Sequence, residues 1–96
     1  MPNVQRLELD KGNIPEMAAH GVTPREAREV LRNSPRFLRN TKRHPQQPYI
    51  MVGRTFNNRW LSLPVGPTAV PGVWRPATAF DSPQAHITKA TGGKPP

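Results

Sequence analysis

The 96-residue chain contains thirteen prolines, and their positions limit how long any of its helices or strands can be. Proline lacks a backbone N–H and fixes φ, so it is accepted in loops and in the first turn of a helix but interrupts the interior of helices and central strands. Pro15, Pro24 and Pro83 stand where helices are expected to begin, and Pro35 follows the end of one. We therefore predict one domain of short elements over residues 1–91, followed by a flexible tail over residues 92–96.

Three of these short elements carry helix signals. Residues 13–16 and 23–26 each have the spacing of a capping box, in which an Asn or Thr side chain and a Glu side chain satisfy free N–H groups at a helix start. The first box predicts a helix of barely two turns that Gly21 closes, and the second predicts a helix over residues 24–33. Residues 81–84 (DSPQ), in which Ser82 could serve as the cap, predict a third helix that reaches about Ala90.

Strand-forming residues dominate the remaining segments, which are Leu7 to Leu9 and residues 36–39, 48–56, 59–65 and 72–79. Asn57 and Asn58 fit a two-residue hairpin turn because Asn tolerates positive φ. That turn would pair Arg54 with Leu61 and Val52 with Leu63, and it would place all four side chains on one face. The element order predicts an α+β fold, in which a small antiparallel sheet carries two short N-terminal helices and a short C-terminal helix.

Charged residues are unevenly distributed along the chain. No Asp or Glu occurs between Glu29 and Asp81, and this acid-free window holds eight basic residues, which equal the net charge of +8. A surface built from the window would carry a strong positive field, which attracts polyanions and acidic proteins. We therefore predict a negatively charged partner. The alternative is that a GC-rich genome supplies basic residues that are only solvated.

Cysteine does not occur in the sequence, which excludes disulfides, thiolate metal sites and a cysteine nucleophile. No apolar run reaches the roughly 18–20 residues needed to span a bilayer, and residues 1–10 lack the apolar core of a signal peptide. We expect a cytoplasmic protein. The three histidines lack the spacing of a metal site, and neither a metal nor a cofactor is predicted.

Several segments resemble the BrnT family of toxins. Residues 9–13 (LDKGN) and 19–27 (AHGVTPREA) are similar to the opening of that family, where an acidic, Lys- and Asn-containing stretch precedes His-Gly-Val and a helix. Residues 49–55 (YIMVGRT) and 59–61 (RWL) resemble the family's Gly-Arg-Thr hairpin, and residues 75–79 resemble its last strand. The resemblance rests on the order and spacing of these segments and extends over nearly the full chain.

This resemblance implies a RelE-like fold and a metal-independent endoribonuclease that acts on RNA as the toxin of a type II toxin–antitoxin pair. It also implies that a cognate antitoxin with a ribbon-helix-helix DNA-binding region neutralises the toxin. Operator DNA would then be bound only through that antitoxin.

RNA cleavage without a metal requires groups that remove the 2′ proton, stabilise the extra negative charge on phosphorus and protonate the leaving 5′ oxygen. Arginine can only stabilise charge, because its guanidinium stays protonated and its planar fork fits phosphate oxygens. Arg54, Arg59 and Arg75 are therefore the candidates for this task, with Arg54 and Arg75 assigned as catalytic, and the three lie on strands that could bring them to a single cleft. His20 ends the first helix and is the candidate for proton transfer, with a purely structural role as its alternative.

The other candidates are assigned to binding RNA or the antitoxin, and they are Lys11, Arg36, Arg39, Lys42, Arg43, Arg59, Tyr49 and Trp60. The aromatic residues would either stack on unpaired bases or form the core of a small domain. The basic residues would bind phosphate, cover an acidic partner or remain solvated. His44 and His86 are interpreted as solvated surface residues.

The end of the chain departs from the family pattern. Where the family's final strand commonly ends in a small residue, Ala and Arg, this chain has Thr78, Ala79 and Phe80. If that arginine stabilised the transition state, losing it would cost about a hundredfold in rate. Two alternatives to a ribonuclease toxin therefore remain: a catalytically degenerate relative that binds partners, and a non-enzymatic nucleic-acid binder that uses its basic residues alone.

Overall fold

A computed structural model describes residues 2–42 and 45–93, which form a six-stranded, mostly antiparallel sheet and three helices. In chain order the elements are β1 (Arg6–Leu7), α1 (Asn13–Ala19), α2 (Pro24–Arg32), β2 (Arg36–Arg39), β3 (Tyr49–Arg54), β4 (Trp60–Pro67), β5 (Val73–Pro76), β6 (Phe80–Asp81) and α3 (Gln84–Thr91). The predicted α+β class is confirmed. No helix in the described part of the chain is long and apolar enough to cross a membrane.

The sheet has the order β1-β5-β4-β3-β2, and β6 pairs with β4 beyond the end of β5. Strands β2 to β5 form an antiparallel meander, whereas β1 runs parallel to β5. After β5 the chain turns back to β4 and forms β6 there, with Phe80 paired with Ser62 and Asp81 paired with Leu61. This return brings residues 80–82 beside the turn end of the β3–β4 hairpin.

Helix α2 begins as its sequence predicts. The Thr23 hydroxyl accepts a hydrogen bond from the Glu26 N–H at 3.1 Å, and Glu26 Oε1 accepts one from the Thr23 N–H at 3.0 Å. Pro24 occupies the first turn, where its missing N–H costs nothing. Gly21, at the end of α1, has a φ of 72° and closes that helix as predicted.

The predicted capping role of Asn13 at the start of α1 is wrong, because a tertiary network engages its side chain. Asn13 is fully buried, and its amide nitrogen donates to the carbonyl oxygens of Glu8 and Pro76, each at 2.8 Å. Asp10 acts at the helix start instead, since its Oδ1 accepts from the N–H groups of Gly12 and Asn13. Asn13 therefore joins α1 to β5 and to the residue that follows β1.

The predicted cap of α3 is also replaced by a tertiary contact. Pro83 occupies the N-cap position and no side chain accepts a hydrogen bond there. The Ser82 hydroxyl, which could have capped the helix, lies 2.8 Å from the Ser62 hydroxyl of β4. A buried hydroxyl needs a hydrogen-bond partner, and Ser62 is fully buried, so Ser82 satisfies the sheet instead of the helix.

The hairpin between β3 and β4 has a three-residue turn, so the predicted register is wrong. The Thr55 N–H donates to the Arg59 carbonyl oxygen at 2.9 Å, and residues 56–58 form the turn between them. Asn58 has a φ of 64°, the left-handed conformation that the last residue of such a turn adopts. Arg54 therefore pairs with Trp60 instead of Leu61, and every partner shifts by one residue.

This shift decides which side chains face which helix. Leu61 and Met51 are fully buried in the larger core, which includes residues of α1 and Val30 of α2. Val52 points to the opposite face and forms a smaller core with Ala90 of α3. The predicted pairing had placed Val52 and Leu61 on one face. The sheet is instead covered on both faces, with α1 and α2 on one and α3 on the other.

Substitution of the turn residues tests this register. Valine is strained at a positive φ, so Asn58→Val should reduce the free energy of unfolding by about 1–2 kcal/mol more than Asn57→Val, whose site does not have a positive φ. Urea unfolding of the two variants measures the difference. Equal losses would contradict the three-residue turn.

Candidate functional site

Arg75 lies at the other end of β4 from Arg54 and Arg59, so the three candidate arginines do not share one cleft. Arg54 pairs with Trp60 at the turn end of the hairpin, whereas Arg75 pairs with Gly66 near the other end of β4. Trp60 and Gly66 are six residues apart along the strand, a separation of roughly 20 Å. Arg54 and Arg75 therefore do not converge on a single phosphate.

Arg75 is engaged by carboxylates from the N-terminal segment. Its Nε donates to Asp10 Oδ2 at 2.9 Å and its Nη2 to Asp10 Oδ1 at 3.1 Å, while Glu8 lies 3.7 Å from Nε. The hydrogen bond from Arg75, with those from the N–H groups of Asn13 and Gly12, holds the pKa of Asp10 well below its ordinary value of 3.8. This guanidinium links β5 to the segment between β1 and α1, and its charge is already balanced.

Arg59 is paired in the same way at the opposite end of the sheet. Its Nε donates to Asp81 Oδ1 at 2.8 Å, and its Nη1 donates to Glu26 Oε2 at 3.0 Å and to the Gly21 carbonyl oxygen at 2.8 Å. The hydrogen bond from Arg59 lowers the pKa of Asp81 from its ordinary value. Arg59 therefore ties the hairpin to α2 and β6, although the sequence assigned it to RNA or partner binding.

A second group of cations remains unpaired and exposed on and beside β2 and β3. Arg54 stands over the Trp60 ring, with its guanidinium carbon 5.4 Å from the ring centre. Among the described residues, no carboxylate forms an ion pair with Arg36, Arg39, Lys42 or Arg54. Arg43 lies outside the described residues, as does His44. Together with Arg32 of α2, which is also exposed and has no ion pair within the described residues, these cations carry the outward positive charge of the window.

Phe80 separates two histidines. The ring of His20, at the end of α1, lies 6.2 Å from the Phe80 ring in an edge-on arrangement, and the ring of His86 in α3 lies 6.3 Å from it. His20 is exposed, whereas His86 is half-buried. The interpretation of His86 as a solvated surface residue is therefore wrong, because α3 lies against the sheet and turns this side chain inward.

The hydroxyls of Ser62 and Ser82 connect to the His86 ring. Ser62 Oγ lies 2.8 Å from His86 Nδ1 and 2.8 Å from Ser82 Oγ. Burial, and then the positive charges of Lys89 and Lys42, lower the pKa of His86 from its ordinary value of 6.5, so the ring is neutral at pH 7. In a neutral ring one nitrogen donates and the other accepts. If the Ser62 hydroxyl donates to Nδ1, Nε2 carries the proton and is a donor; if Nδ1 donates to the hydroxyl, Nε2 is an acceptor.

A signal for this chain of groups is present in the sequence. Ser62 lies between two leucines in a strand, and the period of two places it on the face opposite to theirs. Recognising its partner required the correct hairpin register, which puts Ser62 on the face that α3 covers.

The remaining predicted binding residues are dispersed. Tyr49 lies 6.2 Å from Trp74, edge to face, and both pack against the larger core. Trp60 packs against the smaller core beneath Arg54. Lys11 is exposed in the turn before α1, near the Arg75 end of the sheet. The aromatic residues therefore form core walls and no continuous stacking platform.

Comparison with protein-family models, with curated proteins and with solved structures found no match to this chain. The resemblance to BrnT toxins therefore remains a prediction. In residues 2–42 and 45–93, no three His, Asp or Glu side chains come together in a group that could hold a metal ion.

The protonation of His86 provides a test of its buried position. Since its pKa is lower in the folded protein than the 6.5 of the unfolded chain, the unfolded state binds more protons and stability rises with pH. The neutral ring is fully compatible with folding above pH 6.5, and stability falls as the pH decreases through that value. An NMR titration of the His86 ring should give a midpoint below pH 6.5. The Lys89→Gln variant should have a higher midpoint, because it removes a positive charge that lowers the pKa of His86. A wild-type midpoint at or above 6.5 would contradict this position.

Proposed function

We propose that this protein is the toxin of a type II toxin–antitoxin pair and that its target is RNA. The observation that carries the proposal is the division of the basic residues into two groups. Arg59 and Arg75 are neutralised by carboxylates from the flanking segments. Arg36, Arg39, Lys42 and Arg54 are exposed and have no carboxylate partner within the described residues, so their field attracts a polyanion.

Two kinds of group that metal-independent cleavage requires, an arginine and an imidazole, are exposed in the structure. Arg54 is the exposed arginine of the hairpin and would stabilise negative charge on a phosphate. His20 is exposed, and imidazole is the side chain best suited to move protons near neutral pH. His86 is a second candidate for proton transfer, because its hydroxyl partners orient the ring.

The same exposed cations suit an acidic antitoxin. A partner that covered Arg36, Arg39 and Arg54 with carboxylates would compete with RNA for the same charges. Neutralisation would then follow from occupation of the surface and would need no conformational change. The ribbon-helix-helix region expected in such an antitoxin would carry the DNA binding, so this chain would not contact the operator.

A second candidate function is RNA or partner binding without cleavage. The pairing of Arg75 with Asp10 favours it, because a guanidinium held by two hydrogen bonds to one carboxylate is not available to a phosphate. The position of Phe80 between the two histidines favours it as well, because an apolar ring stabilises no negative charge. This candidate shares the surface of the first and differs only in chemistry.

Incubation of the purified protein with labelled single-stranded RNA and EDTA distinguishes the two candidates. The toxin proposal predicts cleavage that Arg54→Gln slows by about a hundredfold and His20→Gln by a hundredfold or more. Arg28→Gln on α2 is the charge-matched control and should cleave as the wild type does. Expression should arrest growth, and co-expression of the neighbouring gene should relieve the arrest.

The outcomes separate clearly. RNA binding without cleavage or growth arrest would exclude the toxin and leave the binding protein. If neither binding nor cleavage occurred, both candidates would be lost.

A further inference from the structure

A cavity of about 270 Å³ opens between the sheet and the start of α3. Ile50 and Pro64, which pair across β3 and β4, contribute apolar walls, and Phe80 contributes an aromatic one. The polar groups at this cavity include the Lys42 ammonium and the His86 ring. A small concave space with apolar walls and a few placed polar groups is the usual form of a ligand site.

The volume limits what can enter. Pockets for drug-sized ligands measure roughly 300–1,000 Å³, so this cavity is suited to a single planar ring and its immediate substituents. Its composition limits the ligand further. An aromatic wall favours a flat aromatic ring, whereas an exposed cation favours a negative charge next to that ring.

The network of Ser62 defines how His86 would meet such a ligand. His86 Nδ1 is engaged with the Ser62 hydroxyl at 2.8 Å, which leaves Nε2 as the ring nitrogen that can bond to a ligand. Ser62 in turn contacts Ser82 at 2.8 Å, and the two hydroxyl protons can reverse direction together. His86 Nε2 can therefore act as a donor or as an acceptor without a change of charge. Nucleobase edges present both kinds of group.

We propose that this cavity binds an unpaired nucleobase together with its phosphate. Phe80 is the stacking face, His86 is the hydrogen-bonding group and Lys42 is the cation for the phosphate. The inference rests on the proposed RNA-directed function and adds the position of a nucleotide on the protein. The exposed cations Arg36 and Arg54 then lie on the strands beside the cavity, at register positions on the face that α3 covers, where neighbouring phosphates of a single strand would run.

A duplex cannot use the cavity, because its bases are stacked and paired. Single-stranded RNA and a free nucleotide carry the same chemistry, and the experiment distinguishes them. Fluorescence anisotropy follows the binding of a labelled single-stranded RNA of about ten nucleotides, which is within the usual range of such sites. Unlabelled uridine and adenosine 5′-monophosphates, a duplex of the same sequence and a polyglutamate peptide serve as competitors.

Substitution of the aromatic wall is the main test. Phe80→Leu keeps apolar bulk but removes the stacking face, and it should weaken RNA binding about tenfold. Phe80→Tyr keeps an aromatic ring at this position, and its affinity for RNA should be within about twofold of that of the wild type. Circular dichroism verifies that both variants fold. If Phe80→Leu bound RNA as tightly as the wild type and Phe80→Tyr, the proposal would be overturned.

Lys42→Gln tests the phosphate contact. It should reduce the slope of log affinity against log salt by about 0.7, the contribution of one phosphate of a single strand. Arg28→Gln is the control, because Arg28 is an exposed cation of α2 on the opposite face of the sheet. An equal reduction in both variants would mean diffuse charge and would overturn the site.

The competitors separate failure of the site from failure of the proposed function. Phe80-dependent binding of RNA, with weak competition by mononucleotides and duplex, supports both. Phe80-dependent binding of a mononucleotide, measured directly by calorimetry, in the absence of RNA binding supports the cavity and refutes the RNA-directed function. RNA binding that is unchanged by substitution of Phe80 supports the RNA-directed function and refutes the cavity as the nucleotide site. If polyglutamate displaced the labelled RNA in a way that depended on Phe80, the cavity would be assigned to an acidic protein and its proposed binding of a nucleobase would be refuted.

Discussion

The turn that joins β3 to β4 is the constraint on which the rest of the molecule depends. Because Asn58 adopts a left-handed conformation in a three-residue turn, Arg54 lies opposite Trp60 and the period of two assigns every later residue of β4 to a face. Leu61 consequently enters the core beneath α1 and α2, and Ser62 faces α3. A shorter turn would exchange these faces and remove the partner of His86.

The folded protein redistributes charge that is strictly segregated in the sequence. The acid-free window meets carboxylates from both flanks, since Asp10 pairs with Arg75, and Glu26 and Asp81 pair with Arg59. These ion pairs are partly exposed, so each contributes little to stability alone, but they neutralise two of the cations. The unpaired positive charge of the window then lies on β2, β3, the residues that follow β2, and Arg32 at the end of α2. Ion pairs between residues so far apart in sequence cannot be predicted from the distribution of charges along the chain.

Local signals predicted what local interactions decide. The capping box of Thr23 and Glu26 and the closing Gly21 involve residues within one turn of each other, and both were predictable. Asn13 and Ser82 were misassigned because partners far away in sequence, Pro76 and Ser62, compete for their side chains. His20 was selected from a motif, whereas His86 was missed because its role depends on the hairpin register and on the helix that covers the opposite face.

We expect a nucleic acid to approach the face of the sheet that carries β2, Phe80 and α3, and not the ion-paired end at Arg75. Mapping of backbone amide chemical shifts during titration with single-stranded RNA provides the test. The largest changes are expected at residues 36–42, at Phe80 and at His86. Changes confined to Asp10, Arg75 and α2, or no changes at saturating RNA, would contradict it.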